Sequence, residues 1–390
     1  MGSLLLALIY ISFVSLGLPD SLLGSAWPIL HMEISVPVSF AGIISMVICL
    51  GTILSSLYSD KLLRKFGAGK VTAVSGVMTA VALFGFSISN QFWMLLFWSV
   101  PYGLGAGGVD AILNNYVALH YKAQHMSWLH CMWGLGASIS PYIMSFALVQ
   151  LDAWNYGYLI VAIVQMLLSV VIFTSIPLWK KGTSAESDTQ NDAPKSSEKP
   201  LSLKDVFSIK GAMSCFLTFF AYCALELTTS LWASSYLEQQ WHFTPEIAAG
   251  LASMFYIGIT VGRFANGFLA MKLSDHFLIR MGFGIIAAGI ALLFVPFHSA
   301  FALIGFVVIG LGCAPIYPCI IHMTPSVFGA DKSQAMIGVQ MAFAYTGFLI
   351  MPSLFGLIAD CISIALLPIF IFVLLAVMFF THELLMKRAR

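Results

Sequence analysis

Three carboxylates, Asp20, Asp110 and Glu226, sit inside stretches that otherwise read as apolar enough to cross a bilayer. An acidic side chain at the bilayer centre costs about 2.5–3.5 kcal/mol on insertion scales, so such residues face a bundle interior or a watery cavity and serve ion binding or proton relay. All three are candidates for coupling a solute to a cation. Each also has a structural reading. Asp20 follows Pro19 and precedes Gly24, where it would cap a broken helix. Asp110 stands four residues before Asn114 on one helix face and would bond a neighbouring helix. Glu226 would pair with a group such as Tyr222.

Enzyme chemistry finds no support. There is no Walker loop, and His120, His125 and His130 do not form an HExxH pattern. No Ser/His/Asp constellation stands out. The seven cysteines form neither a CxxC pair nor a metal-ligand spacing, and read as small packing residues. No metal and no cofactor beyond a coupling ion, H⁺ or Na⁺, is expected. A net charge of +1 gives no field for nucleic acid.

The elements that must hold these acids are transmembrane helices. Charged residues make up 9% of the 390-residue chain and hydrophobic ones 59%, against about 25% charged in a soluble domain. Apolar runs near the ~20 residues that cross a bilayer lie around 4–30, 37–59, 68–88, 92–119, 126–150 and 154–178. A second set lies around 211–237, 245–270, 277–297, 299–325, 333–358 and 361–385. The first run outlasts a signal-peptide core and is expected as a span. Trp27, at its outer end, reads as an interfacial anchor. Between the sets, Lys180–Pro200 lacks apolar periodicity and reads as a flexible linker. The alternating residues 201–209 read as a possible interfacial helix.

Every lysine and arginine except Arg263 falls in an even-numbered connection, the central linker or the tail. By the positive-inside rule both termini are cytoplasmic and the number of spans is even. The halves echo each other: Gly103-Leu104-Gly105 with Gly310-Leu311-Gly312, and Pro141 with Pro352, at nearly one offset. The expected architecture is therefore an all-α membrane protein of twelve transmembrane helices in two pseudo-symmetric six-helix bundles. Residues 1–178 form the first bundle, 179–210 the cytoplasmic linker and 211–390 the second bundle.

The stretch Ser59-Asp60-Lys61-Leu62-Leu63-Arg64-Lys65-Phe66-Gly67 resembles the signature between spans two and three of the major facilitator superfamily, with serine at its usual opening glycine. Two further stretches resemble the fucose permease-like sugar branch, which includes sodium–glucose cotransporter relatives. One runs from Gly17 through Asp20 to Pro28. The other runs from Gly103 through Asp110, Asn114 and Asn115 to Trp128, His130, Trp133, Gly136 and Pro141. The resemblance implies a cation-coupled monosaccharide symporter working by alternating access, with Asp20 and Asp110 in sugar binding and coupling. Aspartate replaces the glutamate common at the span-four position, which shortens its reach. By the same resemblance Asp60 and Arg64 are gating residues. Arg263 reads as snorkelling toward the cytoplasm or pairing at the gate.

Asn114, His130, Trp133, Gln340 and Tyr345 complete the candidate substrate site, since sugars offer hydroxyls to polar groups and C–H faces to rings. A small neutral sugar and the lipid bilayer are the expected partners, the chain is expected to be monomeric, and a bacterial plasma membrane is its expected place. Two other readings are a proton-driven drug or metabolite exporter of the same fold, and a transport-incompetent sensor or scaffold. The run Gly134–Pro141 partly resembles an exporter motif but lacks its trailing glycine pair. Intact intramembrane acids and short loops argue against the scaffold.

Overall fold

The computed structural model describes residues 2–37, 40–179, 201–243 and 245–389. The linker expected at Lys180–Pro200 lies outside the described residues. Among those described there is no strand. The helices are α1 (Gly2–Asp20), α2 (Leu22–Glu33), α3 (Phe40–Phe66), α4 (Ala68–Ser87), α5 (Phe92–His120), α6 (Ala123–Gln150) and α7 (Trp154–Thr174). The short α8 (Leu203–Ser208) follows. Then come α9 (Ala212–Trp241), α10 (Pro245–Leu269), α11 (Asp275–Leu293), α12 (Ser299–Cys313), α13 (Ile316–Phe328), α14 (Ser333–Cys361) and α15 (Leu367–Ala389).

Eleven helical stretches among the described residues are long and apolar enough to span a bilayer, with α1–α2 and α12–α13 each forming one stretch. The 25-residue α10 completes the twelve. Large apolar side chains stay exposed along these helices, such as Trp93 (72%) and Val149 (72%). So many bare apolar side chains would be a liability in water and are the ordinary surface of a protein in lipid. The chain is an integral membrane protein.

It divides into two compact units, Met1–Tyr116 with Leu129–Pro200 and Val117–Trp128 with Leu201–Arg390. The turn between α5 and α6 thus groups with the second unit, where Asn266 Nδ2 donates to Ser127 Oγ at 2.7 Å.

In the first unit α3 and α5 cross so closely that a Cβ on Gly103 or Gly107 would collide with the backbone carbonyls of Ile48 and Thr52. Hydroxyls knit the same crossing: Thr52 Oγ1 donates to Gly103 O at 3.2 Å and Ser56 Oγ to Gly107 O at 3.1 Å. Without water to satisfy polar groups, helices in a bilayer associate through such small-residue contacts and hydroxyl bonds. Trp27 does not face the interface as an anchor. It is 5% exposed and belongs to the buried cluster that includes Leu30, Phe92 and Trp154, because α2 turns that face inward.

In the second unit α10 and α12 repeat the device, with Gly258 against Val307 O and Gly310 against Phe255 O. Span ten is broken: α12 ends at Cys313 and α13 starts at Ile316, across Pro315, which lacks an amide donor. Tyr222 Oη donates to the Cys313 carbonyl at that break, at 3.1 Å. The residues expected as an interfacial helix do form α8. It opens with a capping box in which Ser202 and Asp205 bond each other reciprocally. Those bonds hold the Asp205 carboxyl below its ordinary range.

Candidate functional site

Span one breaks at Ser21, between α1 and α2. Pro19 sits in the last turn of α1 and Ser21 makes no side-chain cap bond. Asp20 therefore ends a helix with its carboxylate free to turn outward, and it does not cap α2. Instead Tyr102 Oη of α5 donates to its Oδ1 at 3.0 Å, and Trp133 Nε1 of α6 donates to its Oδ2 at 2.9 Å. Tyr102 is buried, Trp133 is half-buried, and Asp20 remains exposed on the surface of this unit. Each oxygen thus has one neutral donor and keeps further accepting capacity. Asp20 and Trp133, both expected in the site, are brought together. Tyr102 was not among the expected residues; its only signal in the sequence is its place directly before the glycine run that leads to Asp110.

A second polar chain joins α5 to α6 in the same unit. Asn114 Nδ2 donates to Asp110 Oδ1 at 2.9 Å, and Asn114 Oδ1 lies 3.0 Å from His130 Nε2. With the amide nitrogen committed to the carboxylate, its oxygen must accept, so the His130 proton sits on Nε2. Phe13 of α1 packs edge-on against the His130 ring, centroids 5.5 Å apart. Asn114 is wholly buried, His130 nearly so, and Asp110 is half-buried. The three expected residues form one line from a half-open carboxylate to a buried imidazole.

Further in, Ser15 Oγ donates to Gln165 Oε1 at 2.6 Å, and Gln165 Nε2 donates to Thr79 Oγ1 at 2.9 Å. That buried bridge ties α1, α7 and α4 together. Sequence reasoning missed it, since one glutamine in an apolar run has no periodic signal.

The other candidates have partners of their own. Asp60 and Arg64 pair with each other along α3, Arg64 Nε standing 3.0 Å from both carboxylate oxygens. In the second unit Glu226 of α9 pairs with Arg263 of α10 at 3.5 Å. Arg263 does not snorkel: it is 5% exposed. Its guanidinium turns inward to the half-buried Glu226, which a counter-charge stabilises in an apolar setting. Gln340 is 0% exposed. Its oxygen accepts from Thr324 Oγ1 at 3.1 Å and its nitrogen faces Cys215 Sγ at 2.9 Å, so both ends serve packing among α9, α13 and α14. Tyr345 is half-buried, with its ring against Phe348 at 6.1 Å.

Against this geometry, comparison with known proteins places the chain firmly. The family described as Major Facilitator Superfamily matches residues 9–236 and 214–389. The chain belongs to that family and is a transporter rather than an enzyme. Among curated relatives it is 24% identical to Bypass of stop codon protein 6 of Saccharomyces cerevisiae over 96% of this chain and 80% of that one. It is 22% identical to the glucose/mannose transporter GlcP of Bacillus subtilis over 79% and 77%. Among solved structures, that of an alanine variant of the E. coli fucose:proton symporter FucP superposes with a TM-score of 0.76 at 16% identity, over 97% of this chain and 98% of that one. At that identity the likeness speaks for the fold.

Proposed function

We propose that the protein is a secondary transporter that moves a small neutral monosaccharide together with a cation, H⁺ or Na⁺, by alternating access between two six-helix bundles. In this reading residues 1–178 and 211–390 are the bundles, 179–210 is the cytoplasmic linker, and the lysine and arginine asymmetry puts both termini in the cytoplasm.

The observation that carries the proposal is the Asp20 carboxylate at the break of span one, held by two neutral donors and still open to a solute. Sugar hydroxyls donate to its remaining lone pairs, and the Trp133 ring supplies an apolar face for sugar C–H groups. Asp110 takes the cation. Neutralising it lowers the electrostatic cost of enclosing the loaded site in the apolar interior as the bundles rock, and the Asn114–His130 line fixes the carboxylate while its charge changes. A charge that moves through the full membrane potential supplies about 2.3 kcal/mol per 100 mV. The glucose/mannose transporter among the curated relatives supports the substrate class. Asp60 and Arg64 are assigned to gating on the signature they belong to.

The test is counterflow of a radiolabelled monosaccharide panel in proteoliposomes, with wild type beside Asp110→Asn. Counterflow needs binding and rocking but no ion gradient. The expected outcome is a sugar that exchanges in both proteins, with gradient-driven uptake lost only in the variant. Loss of both modes in the variant would move Asp110 from coupling to substrate binding. Absence of any sugar exchange in the wild type would overturn the substrate class and turn attention to export of other metabolites.

A further inference from the structure

Outside the carboxylate sites, one group of metal-ligating side chains converges in the second unit. His276, near the start of α11, and His382 and Glu383, in the last turns of α15, place their donor atoms within 4.8 Å of one another. The two helices are far apart in sequence, and no ligand spacing announces the group.

We propose that His276, His382 and Glu383 form a binding site for a divalent first-row metal ion, Zn²⁺ above all, that ties α11 to α15. His276 Nδ1 and His382 Nε2 are 3.0 Å apart. Two imidazole nitrogens on a tetrahedral zinc, each at about 2.0–2.1 Å, stand roughly 3.3 Å apart, so the rings need to part by only a few tenths of an ångström. The contact requires a lone pair on at least one of the facing nitrogens, since two N–H groups would repel. With no ion bound, one ring donates to the other. With an ion bound, both lone pairs point at it and both protons sit on the far nitrogens. His382 Nδ1 has no hydrogen-bond partner among the described residues, so what binds Nε2 decides the tautomer of that ring.

The surroundings are those of a built site. His382 is 0% exposed, and the Phe283 ring packs edge-on against it, centroids 5.5 Å apart. Arg280, one turn after His276, forks onto Glu383, with Nε to Oε1 at 2.8 Å and a terminal nitrogen to Oε2 at 2.5 Å. A carboxylate oriented by an outer partner keeps lone pairs for a metal, and such partners are the usual support of metal ligands. Ser274 caps α11, accepting from Phe277 N at 3.4 Å, and fixes where His276 falls on the helix. Two imidazoles and one carboxylate suit zinc and its neighbours in the first transition row rather than calcium or magnesium. Three protein donors leave the fourth position to water.

The experiment uses the full chain in detergent, without a polyhistidine tag and stripped of metal. Cobalt(II) is added as the optical probe, and Zn²⁺ is then titrated against it. The expected result is a visible tetrahedral cobalt band that saturates at one equivalent and is bleached by one equivalent of Zn²⁺. Zinc is also expected to raise the unfolding temperature. His276→Gln, at a half-buried position chosen to preserve folding, is expected to weaken zinc binding at least about tenfold. Glu383→Gln is expected to weaken it in the same direction, and His298→Gln, away from the group, to leave it unchanged. A wild type without the band, or a His276→Gln chain that elutes like the wild type and binds zinc equally well, would overturn the proposal and leave the pair as a plain hydrogen bond between imidazoles.

Discussion

The two units each carry an acid within their apolar helices and treat it in different ways. Asp20 in the first unit is met by two neutral donors, Tyr102 and Trp133, and by no counter-charge. Glu226 in the second unit is half-buried and is met by the opposite charge of the buried Arg263. An uncompensated carboxylate attracts a cation and accepts hydroxyls, whereas a compensated one holds helices together. Under the proposed function, the difference would put solute chemistry in the first unit and structural work in this part of the second.

Breaking the ion pair is expected to have the largest effect. Arg263→Met leaves the half-buried Glu226 without its counter-charge and should lower stability by about 3–5 kcal/mol, read as thermal unfolding in detergent. Adding Glu226→Leu should recover most of that loss. A single variant as stable as wild type would show that the pair is not structural and would dissolve the contrast between the units.

On the other side of the comparison, Asp20→Asn keeps the shape but loses the charge, and it sets an amide N–H against a donor. Sugar uptake driven by an ion gradient should fall on the order of 100-fold, about 2.7 kcal/mol in barrier terms, while the unfolding temperature barely moves. Unaltered uptake would remove Asp20 from the site.

Helix crossings sharpen the comparison at a smaller scale. Gly107→Val drives a side chain into the Thr52 carbonyl and should cost about 1–3 kcal/mol by overpacking. Gly134→Val, with nothing within 4 Å of the added Cβ, should cost far less. Thermal unfolding of the two variants side by side checks this.

The smallest effect concerns the cap of α8. Asp205 has its carboxyl lowered by the Ser202 side chain and backbone. The cap's contribution is therefore fully present above the ordinary carboxylate range and is lost as pH falls through the lowered value. Ser202→Ala should leave residues 203–208 exchanging amide protons faster at neutral pH, with transport unchanged. Hydrogen exchange across that segment reads both effects.

Much of the fold is legible in the order of residues. The twelve spans follow from apolar run length, and the break after Asp20 is visible in Pro19 and Gly24. The glycines at 103 and 310 mark helices that pack closely in each half. Other features are not legible. Trp27 looks like an interfacial anchor by residue type, but the rotation of α2 buries it. Gln340 looks like a cavity residue, but Thr324 and Cys215 close on both its ends. Tyr102 and Gln165 carry no signal of their own, because a lone polar residue in an apolar run has no periodicity to read.

By itself, the sequence determined the membrane as solvent, the number of spans, the uneven distribution of lysine and arginine among the connections and the presence of acids within the spans. Run length, charge asymmetry and composition are local properties that bilayer thickness and solvation act on directly. Only the tertiary structure decided which donors meet each acid. It gave Asp20 to Tyr102 and Trp133, Glu226 to Arg263, and His276 to His382 and Glu383. These pairings join helices up to about a hundred residues apart and depend on the rotation and crossing of each helix, which the packing of whole helix faces sets and no short stretch of sequence encodes.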